Sequence, residues 1–129
     1  FTFVHSHTIE HFYNPKNILK KISNLQNVGD KMIFSVPNLD KYLKQKFINT
    51  IDFEHTYLLT ESILDIFLYN HHYKIIKKKY FYNHSIFYCV ERKSKSKNTK
   101  YLKNFKKNKF NFLNFSKYYQ NKVFNINKK

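Results

Sequence analysis

The segment VHSHTIEHFYNP, residues 4–15, holds three histidines and a glutamate just before an Asn-Pro pair. His5, His7 and His11 follow the pattern His-x-His-x3-His, and on a strand the first two would share a face, as metal ligands can. No carboxylate follows His11 until Asp30, so we do not favour a metal site. The segment then predicts either catalytic side chains or a ligand-facing turn that joins a strand to a helix.

The elements around this segment are predicted to be a strand, a helix, a tight turn and a second strand. Residues 1–5 are β-branched and aromatic and predict a strand end. Asn14 and Pro15 are the residue types preferred at the N-cap and the first position of a helix. The helix that follows has an apolar stripe of Ile18, Leu19, Ile22 and Leu25. Gly29, the only glycine, predicts a left-handed turn before a strand at 31–36.

The pattern beyond Pro37 continues to residue 92. It predicts a short helix at 39–47, a loop at 48–59, a helix capped by Thr60, and a hairpin of strands 73–80 and 85–91. The main order is therefore β-α-β-loop-α-β-β. We expect an α/β fold from this order.

Composition and charge narrow the class of protein. The 129 residues are enough for about one domain, and 42% are apolar. No apolar run reaches the roughly 18 residues that span a bilayer, so we expect no membrane insertion. The single cysteine, Cys89, excludes an internal disulfide and a cysteine-based zinc site, and it fits a reducing, cytoplasmic location.

The net charge of +16 is concentrated in the last 37 residues. Residues 1–92 hold 12 basic and 8 acidic residues, whereas residues 93–129 hold 12 lysines and no acid. This basic, aromatic-containing tail could bind nucleic acid. A general excess of Lys, Asn, Ile, Phe and Tyr in the sequence also explains the basic tail, without any nucleic-acid binding. We favour that interpretation because charge runs are usually solvated surface.

The motifs taken together resemble the second half of class I S-adenosylmethionine-dependent methyltransferases. The matching residues are SHTIEH-x3-P, then Gly-Asp, then IFSVPN, in that order. In that family they lie on the fourth strand, the following helix and the fifth strand, and the fold closes with an antiparallel seventh strand. The resemblance covers about residues 1–92. It implies the C-terminal half of a Rossmann-like methyltransferase sheet.

A narrower segment, FINTIDFEHTYLLTES at 47–62, is similar to one in C-methyltransferases that act on sugar nucleotides. There a Glu-His pair and a histidine after the fourth strand lie beside the substrate. These positions fall on Glu54, His55 and His11. The sequence departs from that subgroup at Asp52, Phe53 and His7.

The resemblance also implies roles for these residues. Ser6 and His7 would lie near the methionine part of the S-adenosylmethionine cofactor. Methylation at carbon requires removal of a proton, and a histidine suits the general base. We expect His55 or His11 to be the base and Glu54 to orient it or to act as a second proton carrier. Alternatively, Glu10 and His11 are only helix-entry residues, and Glu54 and His55 are loop surface.

The predicted function is therefore a fragment of a methyltransferase that acts on a small molecule, with an activated sugar as the suggested substrate. A glycine-rich cofactor turn is absent, since the chain has one glycine, so we expect weak cofactor binding by the chain alone. The predicted divisions are 1–93 as the methyltransferase half, 94–109 as a basic linker, and 110–129 as a helix without a partner in the chain. The alternative function is a small RNA- or ribosome-associated binding protein.

Overall fold

The structure, a computed structural model, describes residues 1–50, 54–94 and 105–127. It is a mixed α/β fold with one open, four-stranded sheet. The strands are β1 (Thr2–Ser6), β2 (Lys31–Pro37), β3 (Tyr73–Phe81) and β4 (Ser85–Arg92). The α-helices are α1 (Pro15–Leu25), α2 (Leu39–Gln45), α3 (Glu61–Asn70) and α4 (Phe105–Ile126), and short 3₁₀ turns occupy Ile9–His11 and Ile48–Thr50.

The strand order is β1-β2-β4-β3, so the last strand lies between the second and the third. β1 pairs parallel to β2, while β4 is antiparallel to both β2 and β3. Consequently β1, β2 and β3 all run in one direction. Their final residues and the first residue of β4 lie along one side of the sheet, which we call the carboxyl edge. It is marked by Ser6, Pro37, Phe81 and Ser85.

The local signals around α1 are confirmed with one exception. The Asn14 side chain accepts a hydrogen bond from the Asn17 backbone N–H at 3.0 Å, and Pro15 is the first helical residue. Gly29 has φ +94°, a conformation that a side chain would strain. The apolar stripe was predicted one turn too long, because Leu25 is 81% exposed. It is the last residue of α1 and lies outside the core cluster.

The core lies between the sheet and helices α1 and α3. Leu19 of α1 and both Leu64 and Leu68 of α3 are fully buried there. From the strands they meet Met32, Phe34, Val36, Ile86, Tyr88 and Val90. Thr60 is the N-cap residue of α3, as predicted, but its hydroxyl accepts a hydrogen bond from Asn108 Nδ2 at 3.0 Å and makes no cap.

Helix α4 does have a partner in the chain, which corrects the expectation of an unpaired tail helix. Phe115 is 3% exposed and packs against Leu39 and Leu43 of α2. The Tyr119 hydroxyl also donates to the Lys46 carbonyl at 2.5 Å. The helix begins at Phe105, so the predicted start at residue 110 was five residues late. The rest of the predicted linker, residues 95–104, lies outside the described residues, as do Asp52 and Phe53.

The second half of α4 exposes apolar side chains, among them Val123 and Ile126. They are left uncovered because α2 is only seven residues long and packs against the middle of α4. Within the described ranges, the length and apolar character needed to cross a bilayer are not combined in any helix.

Candidate functional site

The turn that follows β1 lies at the carboxyl edge, where open α/β sheets bind ligands. Ser6 Oγ is 2.7 Å from Ser35 Oγ on β2, and the two residues are cross-strand partners. His7 has φ +45°, and its backbone N–H still donates to the Ser35 carbonyl at 3.0 Å. This positive φ follows the last residue of β1, so Ser6 and His7, which were predicted to contact a cofactor, lie at the end of the strand.

The His7 ring links the turn to β4. Its Nε2 atom is 3.1 Å from Ser85 Oγ, and its ring centroid is 5.7 Å from that of His84. Burial lowers the pKa of His7, and the neighbouring His84, His55 and His11 lower it further. His7 therefore favours its neutral form in this cluster.

The predicted residues His11, Glu54 and His55 are brought together in space. His11 Nδ1 is 2.9 Å from the backbone carbonyl oxygen of Glu54, across 43 residues of sequence. The rings of His11 and His55 have centroids 5.0 Å apart. The contact is held by Thr56, whose hydroxyl donates to the Phe12 carbonyl at 2.7 Å.

The hydrogen bond to Glu54 also fixes the tautomer of His11. A carbonyl oxygen can only accept, so Nδ1 must carry the hydrogen. In a neutral ring, Nε2 then keeps its lone pair. His11 is thereby prepared either to accept a proton or to bind a cation through Nε2. Glu54 performs this orientation with its backbone, while its residue is exposed; the predicted role of its carboxylate stays a prediction.

Glu10 was missed as a functional residue in the sequence. It is 3% exposed, and neither carboxylate oxygen has a hydrogen-bond partner within the described ranges. His7 Nδ1 is 3.4 Å from Oε1, which is within ion-pair distance but does not form a hydrogen bond. Burial raises the pKa of Glu10, against lowering by its own backbone N–H and by His11. The sequence signal was its place in the SHTIEH motif, beside His11 and four residues after the end of β1.

Glu10, His11 and His55 form the group that could hold a metal ion. One donor atom from each residue lies within 4.8 Å of the donors from the other two. His5 is not a member of this group, although the His-x-His spacing had suggested it. Its ring instead stacks on Phe34 with centroids 5.0 Å apart, and burial lowers its pKa to about 4.

A larger polar cleft of about 490 Å³ lies elsewhere, between α2, α3 and α4. Its charged lining includes Asp40, Lys41, Glu61 and Asp65. Glu61 and Asp65 are already engaged by Lys78 Nζ at 2.6 and 2.7 Å. We place the candidate site at the histidine cluster, because Glu10 there is both buried and unsatisfied.

Comparison with known proteins adds no family assignment. No protein-family model matches this chain, and the search of curated proteins gives no significant match. The assignment of function therefore depends on the geometry of the site and on the motifs that the sequence carries.

Proposed function

We propose that this chain is part of an S-adenosylmethionine-dependent methyltransferase that acts on a small molecule, with methylation at a carbon of an activated sugar as the reaction. The observation that carries the proposal is the meeting of His11, Glu54 and His55 beside the carboxyl edge. The resemblance assigned these three positions to one substrate site although 43 residues separate His11 from Glu54. The sequence separation alone would not predict this contact.

The sheet gives a second line of support. The resemblance implies a fold that closes with an antiparallel strand, and β4 is antiparallel to both of its neighbours. β1 and β2 are parallel and joined by α1, as expected for the fourth and fifth strands of such a sheet. The motif residues Ser6 to His11 follow β1, on the side of the sheet where ligands gather.

The residues at this edge fit contact with one end of the methyl donor. Ser6 is exposed and the His7 side chain is 35% exposed, so both can be reached by a ligand. The donor supplies an electrophilic methyl group when it is bound. The one glycine, Gly29, lies near Arg92 at the opposite edge. A glycine-rich turn for the rest of the cofactor would thus have to come from outside this chain.

The chain's own part in the reaction is to position the acceptor and remove its proton. His11 Nε2 carries the lone pair that can accept a proton from an acidic carbon, because Nδ1 is committed to the Glu54 carbonyl. The His55 ring lies 5.0 Å from the His11 ring, centroid to centroid, and can hold a hydroxyl or carbonyl oxygen of the acceptor. Positioning of donor and acceptor then supplies much of the rate.

The test is transfer of labelled methyl groups from S-adenosylmethionine to a panel of sugar nucleotides by the full-length protein that contains this chain. We expect His11→Ala and His55→Ala to lower kcat by about 100-fold or more, since general acid–base catalysis contributes roughly 10²–10⁴. Binding of S-adenosylmethionine should change little in either variant. The matched control is His71→Ala, because His71 caps the far end of α3.

Two results would overturn the proposal. One is the absence of methyl transfer to any small molecule in the panel. The other is an equal loss of cofactor binding and turnover in the two site variants, since this would mean that the histidines maintain the fold and do not act on the acceptor.

A further inference from the structure

We infer that Glu10, His11 and His55 form a binding site for a divalent transition-metal ion. Their donor atoms lie within 4.8 Å of one another. Ligands at about 2.0–2.2 Å from one tetrahedral ion lie about 3.3–3.6 Å apart, so side-chain rotations that shorten the donor separations by up to about 1.5 Å close the site. Nothing in the sequence spacing favoured this group, because His55 comes from a distant loop.

Glu10 is a buried carboxylate that lacks a hydrogen-bond donor in the described part of the chain. Both of its carboxylate oxygens are buried, and neither has a hydrogen-bond partner within the described ranges. A buried carboxylate normally finds a donor or a cation, because an unsatisfied polar group in the interior is costly. An ion between Glu10 and the two histidines would satisfy it.

His11 also has the outer contact that a metal-binding histidine needs. Such a histidine usually donates its other ring N–H to a carbonyl or carboxylate, which fixes the ring and its tautomer. The Nδ1 hydrogen bond to the Glu54 carbonyl at 2.9 Å provides this contact. The lone pair of Nε2 is then available to an ion.

A small pocket beside Glu10 leaves room for an ion. Glu10 and His55, but not His11, line this pocket of about 20 Å³, together with Pro37, Leu39 and Tyr57. Roughly 10–15 Å³ is enough for one water molecule. The pocket can therefore hold an ion or a water.

The donor set indicates the class of ion. Two imidazoles and one carboxylate suit Zn²⁺, Fe²⁺, Co²⁺ or Ni²⁺, whereas Mg²⁺ and Ca²⁺ prefer oxygen ligands alone. Three protein ligands leave at least one position open for water or for an oxygen of a small molecule. His11 and His55 are only half-buried, so such an oxygen can approach from solvent.

This inference does not rest on methyl transfer, since it needs only the donor atoms. It does compete with the proton-acceptor role given above to His11, because a nitrogen that coordinates an ion has no lone pair for a proton. Metal occupancy decides which use of the ring applies.

The experiment titrates the full, untagged chain, first stripped with a chelator, with Co²⁺ and Zn²⁺ in the absence of any methyl donor. We expect one ion per chain, with visible absorption of bound Co²⁺ and a Tm that rises on loading. Glu10→Gln and His55→Gln should weaken binding by more than the roughly 10–100-fold that an outer contact contributes. Glu10→Gln is chosen because it keeps the shape of the buried side chain, and circular dichroism checks its fold.

His71→Ala and His84→Ala are the controls, since both leave the three donors in place. Equal affinity in the wild type and in Glu10→Gln would overturn the inference, as would no binding at one equivalent. Loss of binding in His71→Ala with retention in His55→Gln would also overturn it, by placing the ion at another histidine. The titration contains no methyl donor, so its outcome is measured separately from methyl transfer.

Discussion

His7 and Ser85 join the turn after β1 to the start of β4, with His7 Nε2 3.1 Å from Ser85 Oγ. Ser85 is buried, and its hydroxyl also lies 2.6 Å from His84 Nδ1. One hydroxyl thus forms hydrogen bonds with the rings of two histidines. The positive φ of His7 is held in part by this contact.

Ser85→Ala should therefore lower stability and loosen the turn. The substitution leaves two ring nitrogens without their partner, and we expect a loss of about 1–2 kcal/mol in the free energy of unfolding. Urea denaturation measures this, and NMR of the His7 ring reports its tautomer. The control is Ser94→Ala, at an exposed position. Equal unfolding curves for the two variants would show that the contact contributes nothing.

His5 should make stability depend on pH. Burial lowers its pKa to about 4, from an ordinary value of 6.5. Between these values the unfolded chain binds the proton and the folded chain does not. The free energy of unfolding should consequently fall as the pH is lowered from 6.5 to 4, and it should be free of this effect above 6.5.

His5→Phe should remove that dependence and preserve the stacking on Phe34. Both ring nitrogens of His5 are buried without a hydrogen-bond partner in the described part of the chain, so phenylalanine fits the site better. Relative to wild type, we expect a gain of about 1–2 kcal/mol at pH 4, after allowing for partial solvent screening, and a smaller one at pH 7. Chemical denaturation across this range measures the difference. A constant difference at all pH values would contradict the assignment.

The packing of α1 can be tested by making the same substitution at two leucines of this helix, Leu19 and Leu25. Leu19 is fully buried and Leu25 is 81% exposed. Leu19→Ala should cost about 2–5 kcal/mol because it opens a cavity. Leu25→Ala should stay within about 0.5 kcal/mol of wild type, as exposed positions do. Thermal or urea unfolding decides, and similar losses would mean that α1 packs along a different face.

Short-range signals predicted the elements of this fold. The Asn14 cap, Pro15 and Gly29 act within a few residues of their own positions, so their effects follow from the local sequence. Alternating and helical spacing located β3, β4 and α3 to within a residue or two. Local effects of this kind are the same in almost any fold, so they can be predicted without knowing the fold.

The features that were not predicted from the sequence depend on contacts between residues far apart in the chain. Glu10 is buried because the loop at 54–57 folds over it, as the Tyr57 N–H bond to the Glu10 carbonyl shows. Only the family resemblance suggested that His11 and His55 would meet, and it gave Glu10 no role although Glu10 belongs to the matching motif. The contact between α4 and α2 was missed for the same reason, since Phe115 and Leu43 lie 72 positions apart.

Phe115 anchors α4, and its replacement should release the helix. Phe115 is 3% exposed against α2, whereas Phe110 in the same helix is 63% exposed. Phe115→Ala removes a buried ring whose loss typically costs about 3–5 kcal/mol. Helix α4 packs on the rest of the structure mainly through α2. We therefore expect α4 to detach before the core of the sheet, α1 and α3 unfolds.

Hydrogen exchange resolves this prediction by segment. In Phe115→Ala the amides of α4 should exchange much faster, while those of β2 and β4 keep their protection. Phe110→Ala should leave both groups near their wild-type rates. Faster exchange throughout the sheet in Phe115→Ala would show that α4 belongs to the same cooperative unit as the core. Equal rates in the two variants would instead mean that the α2–α4 contact does not hold the helix in solution.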